Sequence, residues 1–149
     1  SPGSVSAAPL DTSIPSCGLM LFRYSKSAIV QVPVYSVLHY PVNGKEFFHV
    51  QGVKDGVAYE VVFAGLSDGA SKLGGSTSNT YALVHIDDGS NFGSPKFTEE
   101  FQTLDQSLGF GGIGYTISGN RVLGQARFSA AKSGVKKPEL VVNVMFDTH

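Results

Sequence analysis

"EFFHVQGVKDGVAYEVVF", residues 46–63, holds two apolar runs on either side of Lys54-Asp55-Gly56. Asp-Gly is a preferred pair for a tight hairpin, because both positions tolerate positive φ. After the turn, Val57, Tyr59, Val61 and Phe63 recur at period two and so share one face of a strand. The stretch predicts an antiparallel hairpin, and the same texture spreads outward from it.

Upstream, "GLMLFRY" from Gly18 and "AIVQVPVYSVLHY" from Ala28 are rich in β-branched and aromatic residues. Pro33 interrupts the second run, which predicts an edge strand or a bent one. Downstream, "TYALVHI" is apolar on both of its faces, Ala82/Val84/Ile86 and Tyr81/Leu83/His85, as expected of a central strand. "LGFGGIGYTI" and "NRVLGQARFS" flank Ser118-Gly119-Asn120, a second hairpin signal. "ELVVNVMFD" places Leu140, Val142, Val144 and Phe146 on one face.

One segment breaks the pattern. In "SPKFTEEFQTLDQSLG", Phe97, Phe101, Leu104 and Leu108 recur at helical spacing. Ser94 can cap, Pro95 suits the first helical position, Glu99 and Glu100 favour the first turn, and Gly109 can end it. This predicts a short amphipathic helix near residues 95–108. The expected fold is all-β and mainly antiparallel, a sandwich or barrel of about eight or nine short strands with that helix packed against it.

Residues 1–16, with Pro2, Pro9 and Pro15 among Ser and Ala, read as a linker or extended arm. Residues 17–149 read as a single β-rich domain. The chain starts at Ser and is expected to be a piece of a longer polypeptide.

The chain is 42 % apolar, 15 % charged and carries a net charge of −1. Only Lys132, Lys136 and Lys137 cluster among its basic residues, so nucleic acid is not an expected partner. No apolar run reaches membrane-spanning length, and membrane insertion is not expected. Cys17 is the only cysteine, and no Cys/His spacing points to zinc.

Three constellations could carry chemistry. In "HIDDGSNFGSP", Asp87, Asp88, Ser90 and Asn91 offer the oxygen ligands calcium prefers, but their spacing fits no EF-hand and Asp-Asp-Gly is an ordinary turn sequence. No metal or cofactor is expected. His85 with Asp87 or Asp88 and Ser90 could form a Ser/His/Asp set, though no Gly-x-Ser-x-Gly elbow accompanies it. Gly109, Gly111 and Gly114 match Gly-x-Gly-x-x-Gly, but a helix is predicted before the glycines rather than after them. A bent strand fits better.

The polar stretch "GLSDGASKLGGSTSNTY", residues 65–81, is long for a connection in a compact domain. Such loops are usually functional or mobile, and Ser, Thr, Asn and Gly supply adaptable hydrogen bonding. The candidate binding residues are Ser67, Asp68, Ser71, Lys72, Ser76 and Asn79 here, and Asp87, Asp88, Ser90, Asn91 and Phe92 in the following loop. The two loops lie at opposite ends of the strand between them. If the first loop is a binding tip, residues 68–78 should be exchangeable for a short Gly/Ser linker without loss of the fold.

The Ser/Pro/Ala entry "SPGSVSAAPLDTSIP", the dense short strands, the low charge, the lone Cys17 and the polar loop from Gly65 to Asn79 together resemble the protruding domains of small non-enveloped RNA-virus capsid proteins. The lack of a disulfide and of an Asn-x-Ser/Thr sequon fits a capsid protein folded in the cytosol. The resemblance implies a non-enzymatic β-rich module on the virion surface. It would contact other capsid subunits as a homo-oligomer and present outer loops to a host receptor or glycan. Two other readings stand beside it. One is a carbohydrate-binding β-sandwich, with Tyr40, Tyr81 and Phe92 as stacking platforms in the absence of Trp. The other is a serine hydrolase-like domain built around His85.

Overall fold

The structure, a computed structural model, describes residues 17–75, 77–87 and 98–148. The hairpin at residues 46–63 forms as its turn chemistry demands. β3 (Lys45–Lys54) and β4 (Val57–Leu66) pair antiparallel with Lys54 opposite Val57, and Asp55 and Gly56 both sit at positive φ, 52° and 78°. Asn43-Gly44 repeats the device, at φ 52° and 79°, between β2 (Ala28–Val42) and β3.

The remaining strands are β1 (Gly18–Arg23), β5 (Ala70–Lys72), β6 (Tyr81–Asp87), β7 (Glu99–Thr103), β8 (Gly111–Ser118), β9 (Arg121–Ala131) and β10 (Leu140–Asp147). A 3-10 turn at Tyr24–Lys26 links β1 to β2. Every pairing is antiparallel, in the order β10-β1-β2-β3-β4-β6-β7-β9, and β9 pairs back onto β10. This closes an eight-stranded barrel rather than a sandwich. β8 hangs on β9, and β5 on β8, as a lobe outside the ring. β9 therefore serves two neighbours along one edge. Residues 121–128 pair with β8, and Ala130 and Ala131 pair with Thr103 and Gln102 of β7.

An eight-stranded barrel is just wide enough for side chains to fill. Leu19, Val32, Phe48, Val50, Val61, Phe63, Val84, Phe128, Val142 and Phe146 are completely buried and fill it. The rings of Phe63 and Phe128 meet edge-on at 5.9 Å, and Phe48 lies 5.4 Å from Phe146. Phe146 lies directly over Gly124, where a Cβ would come within 2.3 Å of the ring.

The expected helix is not found over the described part of its span. Residues 99–103 form β7, and Asp105–Leu108 form a turn closed by the Leu108 amide donating to the Asp105 carbonyl. Residues 95–97 lie outside the described residues. Pairing with β6 overrides local helical spacing: Phe101 lies opposite Val84 and is buried, whereas Leu108 is exposed. Ten strands are present among the described residues, one or two more than expected. β2 is bent rather than an edge strand, with a register shift between Val34 and Ser36 just after Pro33. No helix follows the glycines of β8; they run directly into the β8–β9 hairpin.

The polar stretch after β4 is built into the fold. β5 pairs with β8, and Leu73 is completely buried. Thr103 Oγ1 donates to the Gly74 carbonyl at 2.6 Å and Gln106 Nε2 to the Leu73 carbonyl at 2.5 Å. Gly65, at φ 72°, leaves no room for a Cβ, which would fall 2.0 Å from the Asn79 carbonyl oxygen. The two ends of the stretch thus meet. The expectation that residues 68–78 are freely exchangeable is corrected: their removal would expose the place Leu73 fills and strip the edge of β8.

Candidate functional site

Alternation along β2, β3, β4, β6 and β7 sends every second side chain outward. Register then aligns Gln51 with Glu60, Glu60 with His85, and His85 with Glu100 across four strands. Glu60 is the hub. Its Oε1 lies 3.1 Å from His85 Nδ1, and its Oε2 accepts from Gln51 Nε2 at 2.6 Å. His49 Nδ1 approaches the same Oε2 at 3.5 Å. His85 Nε2 reaches Glu100 Oε2 at 2.8 Å, and the Tyr40 hydroxyl meets His49 Nε2 at 2.9 Å. The Tyr40 ring stacks on Phe47 at 5.6 Å. The result is a chain, Tyr40–His49–Glu60–His85–Glu100, across the outside of five adjacent strands.

Its electrostatics follow from these contacts. The hydrogen bond from His85, with help from Gln51 and His49, outweighs burial and holds the Glu60 carboxyl at about 2. Reciprocally, Glu60 raises the His85 imidazole above its ordinary value, against burial and with help from Glu100. The members run in a line instead of converging on one point. Among the described residues, no group of three or more His, Cys, Asp or Glu side chains could hold a metal ion. Both ring nitrogens of His85 face glutamates, so the arrangement fixes protons and ties strands together.

The sequence-predicted residues are scattered. Ser67 and Ser71 satisfy each other across a turn: Ser71 Oγ donates to the Ser67 carbonyl at 3.2 Å and accepts from its amide at 3.4 Å. Asp68, Lys72 and Asn79 are exposed around the β5 lobe. Asp87 is nearly completely buried at the far end of β6. A seven-residue strand separates the two groups by about 20 Å, so they form no single site. Ser76, Asp88, Ser90, Asn91 and Phe92 lie outside the described residues. Of the proposed aromatic platforms, Tyr40 and Tyr81 are half-buried. His39 pairs with Glu46 and packs against Phe48.

Sequence reasoning missed a second surface. On β10, β1 and β2 the outward positions fall into three aligned rows: Val141–Phe22–Ile29, Asn143–Met20–Gln31 and Met145–Gly18–Pro33. None of the nine is charged. Ile29 is 61 % exposed, and Tyr24 packs edge-on against Phe22 at 5.1 Å. Along β2 the surface continues through Tyr35 at the bulge, 68 % exposed, and Leu38. The signal was available: "GLMLF", residues 18–22, is apolar on both faces, although only one can point into a core.

No family model, curated protein or solved structure matches this chain.

Proposed function

We propose that this domain is a non-enzymatic surface module of a viral capsid protein, which self-associates through the uncharged outer wall of β10, β1 and β2. The capsid assignment, and with it a place on the virion surface, rests on the sequence resemblance. The wall is the observation that supports an assembly role. Its three-by-three grid, polar only at Asn143 and Gln31, spans roughly 200–300 Å² by strand spacing, and with exposed Tyr35 and Leu38 beside it approaches the size of the largest patches on monomers, which are often functional. That is the apolar centre of an interface, with the rim supplied by neighbouring polar residues. An uncharged wall can face its own copy without like-charge repulsion, which fits an isologous contact. Asp68, Lys72 and Asn79, on the lobe outside the ring, remain free in this arrangement for a host receptor or glycan.

Analytical ultracentrifugation tests the assembly role. The wild-type domain is expected to dimerise with rising concentration. Phe22→Asp combined with Ile29→Lys should be monomeric with an unchanged circular dichroism spectrum. A wild type that stays monomeric at high concentration, or a folded variant that still associates, overturns it. A shell domain encoded directly upstream in the same reading frame would support the capsid assignment.

A further inference from the structure

Among the described residues, the barrel is not filled to its end. A cavity of about 200 Å³ lies at the mouth where β1 ends and β2, β4, β7 and β10 begin. Leu21, Val30, Val57, Ile86 and Leu140 give it apolar walls. Barrel mouths are a favoured place for small-molecule sites, and a cavity of about 150 Å³ with apolar walls suffices for benzene. The space therefore takes one ring, or a short chain, with a single substituent.

The rim defines that substituent. Arg23, Lys26, Tyr59 and Glu99 line it. Glu99 is claimed twice, by the Arg23 guanidinium in a two-pronged pair and by Lys132 Nζ at 3.0 Å. Its carboxyl is held at about 2, with the Arg23 hydrogen bond the largest cause, and it stays ionised under all ordinary conditions. Arg23 and Lys132 both face Glu99, while Glu139 acts on Arg23 and Asp55 on Tyr59 from nearby; Lys26 on the 3-10 turn makes no ion pair among the described residues. The Tyr59 hydroxyl makes no hydrogen bond among the described residues either. Burial, with a smaller push from Asp55, raises it above its ordinary value and keeps it a donor. Apolar walls, one ammonium and one hydroxyl donor without partners among the described residues line one opening.

We infer that the barrel mouth binds a small amphipathic carboxylate, an aromatic or short-chain acid whose apolar body enters the cavity and whose carboxylate meets Lys26 and the Tyr59 hydroxyl. This goes beyond the assembly role and does not depend on it, because the mouth lies at the end of the barrel and the uncharged wall on its side.

Two-dimensional NMR titration with sodium benzoate, and with benzyl alcohol as the neutral counterpart, tests the site. Benzoate should shift amides of Leu21, Val30, Tyr59 and Ile86 with a dissociation constant on the order of 1 mM or tighter. Benzyl alcohol should bind several-fold more weakly. Lys26→Met and Tyr59→Phe should each weaken benzoate several-fold while leaving benzyl alcohol nearly unchanged. Ala28→Phe, at the opening, should block both. The proposal is overturned if benzoate at about 10 mM moves no mouth amides, if it binds elsewhere, or if the alcohol binds as well as the acid. Benzoate binding that is insensitive to both Lys26→Met and Tyr59→Phe also overturns it.

Discussion

Two walls of one barrel share a single interior and present opposite exteriors. On β3, β4, β6 and β7, outward positions carry the chain from His49 through Glu60 and His85 to Glu100. On β10, β1 and β2, the nine aligned outward positions carry no charge at all. The first wall is complete in itself: each polar group has its partner within the sheet and water can cover the rest. The second presents uncharged side chains, most of them partly exposed, with Ile29 61 % exposed. A scaffold needs neither arrangement in order to fold, since the core lies on the other side of both. The contrast divides the barrel's outside into a half laced by hydrogen-bonded charged groups and an uncharged half, the one proposed above for self-association.

The largest effect should come from breaking what both walls share. Val142 is completely buried on the inner side of the uncharged wall. Val142→Asp places an unpaired charge in the core at a cost of several kcal/mol, and circular dichroism should show an unfolded chain. A folded Val142→Asp variant would reverse the inside and outside of β10.

Next comes the hub of the charged wall. Glu60→Gln leaves His49 and His85 without their shared anion and should cost about 1.5–3 kcal/mol. In a domain of this size that lowers the melting temperature by several degrees. The His85 pKa, followed by NMR, should fall in the same variant. An unchanged His85 titration would show that Glu60 is not its controlling partner.

The pH dependence is smaller and has a definite sign. The His85 imidazole is raised when folded, so its contribution is fully present below its unfolded value near 6.5 and is lost as pH rises through the raised value. Glu60 is depressed to about 2, so its contribution is present above its unfolded value near 4.5 and is lost as pH falls towards 2. The two together place the stability maximum between about pH 4.5 and 6.5. Melting temperatures measured from pH 8 down to pH 5 should rise, and His85→Gln should flatten that limb.

Ile29→Lys should have the smallest effect on stability, within about 0.5 kcal/mol, because its side chain already stands in water. It should nevertheless lower the association constant measured by sedimentation. Comparable stability losses from Ile29→Lys and Glu60→Gln would erase the distinction between the two walls.

The sequence disclosed these features unevenly. Asp55-Gly56 and the alternation around it were sufficient for β3 and β4, because a hairpin is local. Asn43-Gly44 carried the same signal one strand earlier and marks the β2–β3 turn equally well. The helix expected near residues 95–108 failed over its described part because Phe101 satisfies helical spacing and strand burial alike; the edge offered by β6 decided between them. The polar stretch after β4 looked dispensable because its anchors are one apolar residue, Leu73, and backbone hydrogen bonds that the side-chain pattern does not reveal. The histidine–glutamate chain was not legible at all. Its members stand at positions 40, 49, 60, 85 and 100, and only the register of five strands brings them together.

The junction where β9 leaves β8 for β7 has a mechanical meaning. The ring is joined there by only two residue pairs, Gln102 with Ala131 and Thr103 with Ala130, whereas the β9–β10 ladder next to it runs over eight. A hoop fastened by so short a clasp loosens at the clasp first. Any swelling or squeezing of the girth would register at Thr103, whose hydroxyl also grips the Gly74 carbonyl and so transmits the strain to the β5 lobe.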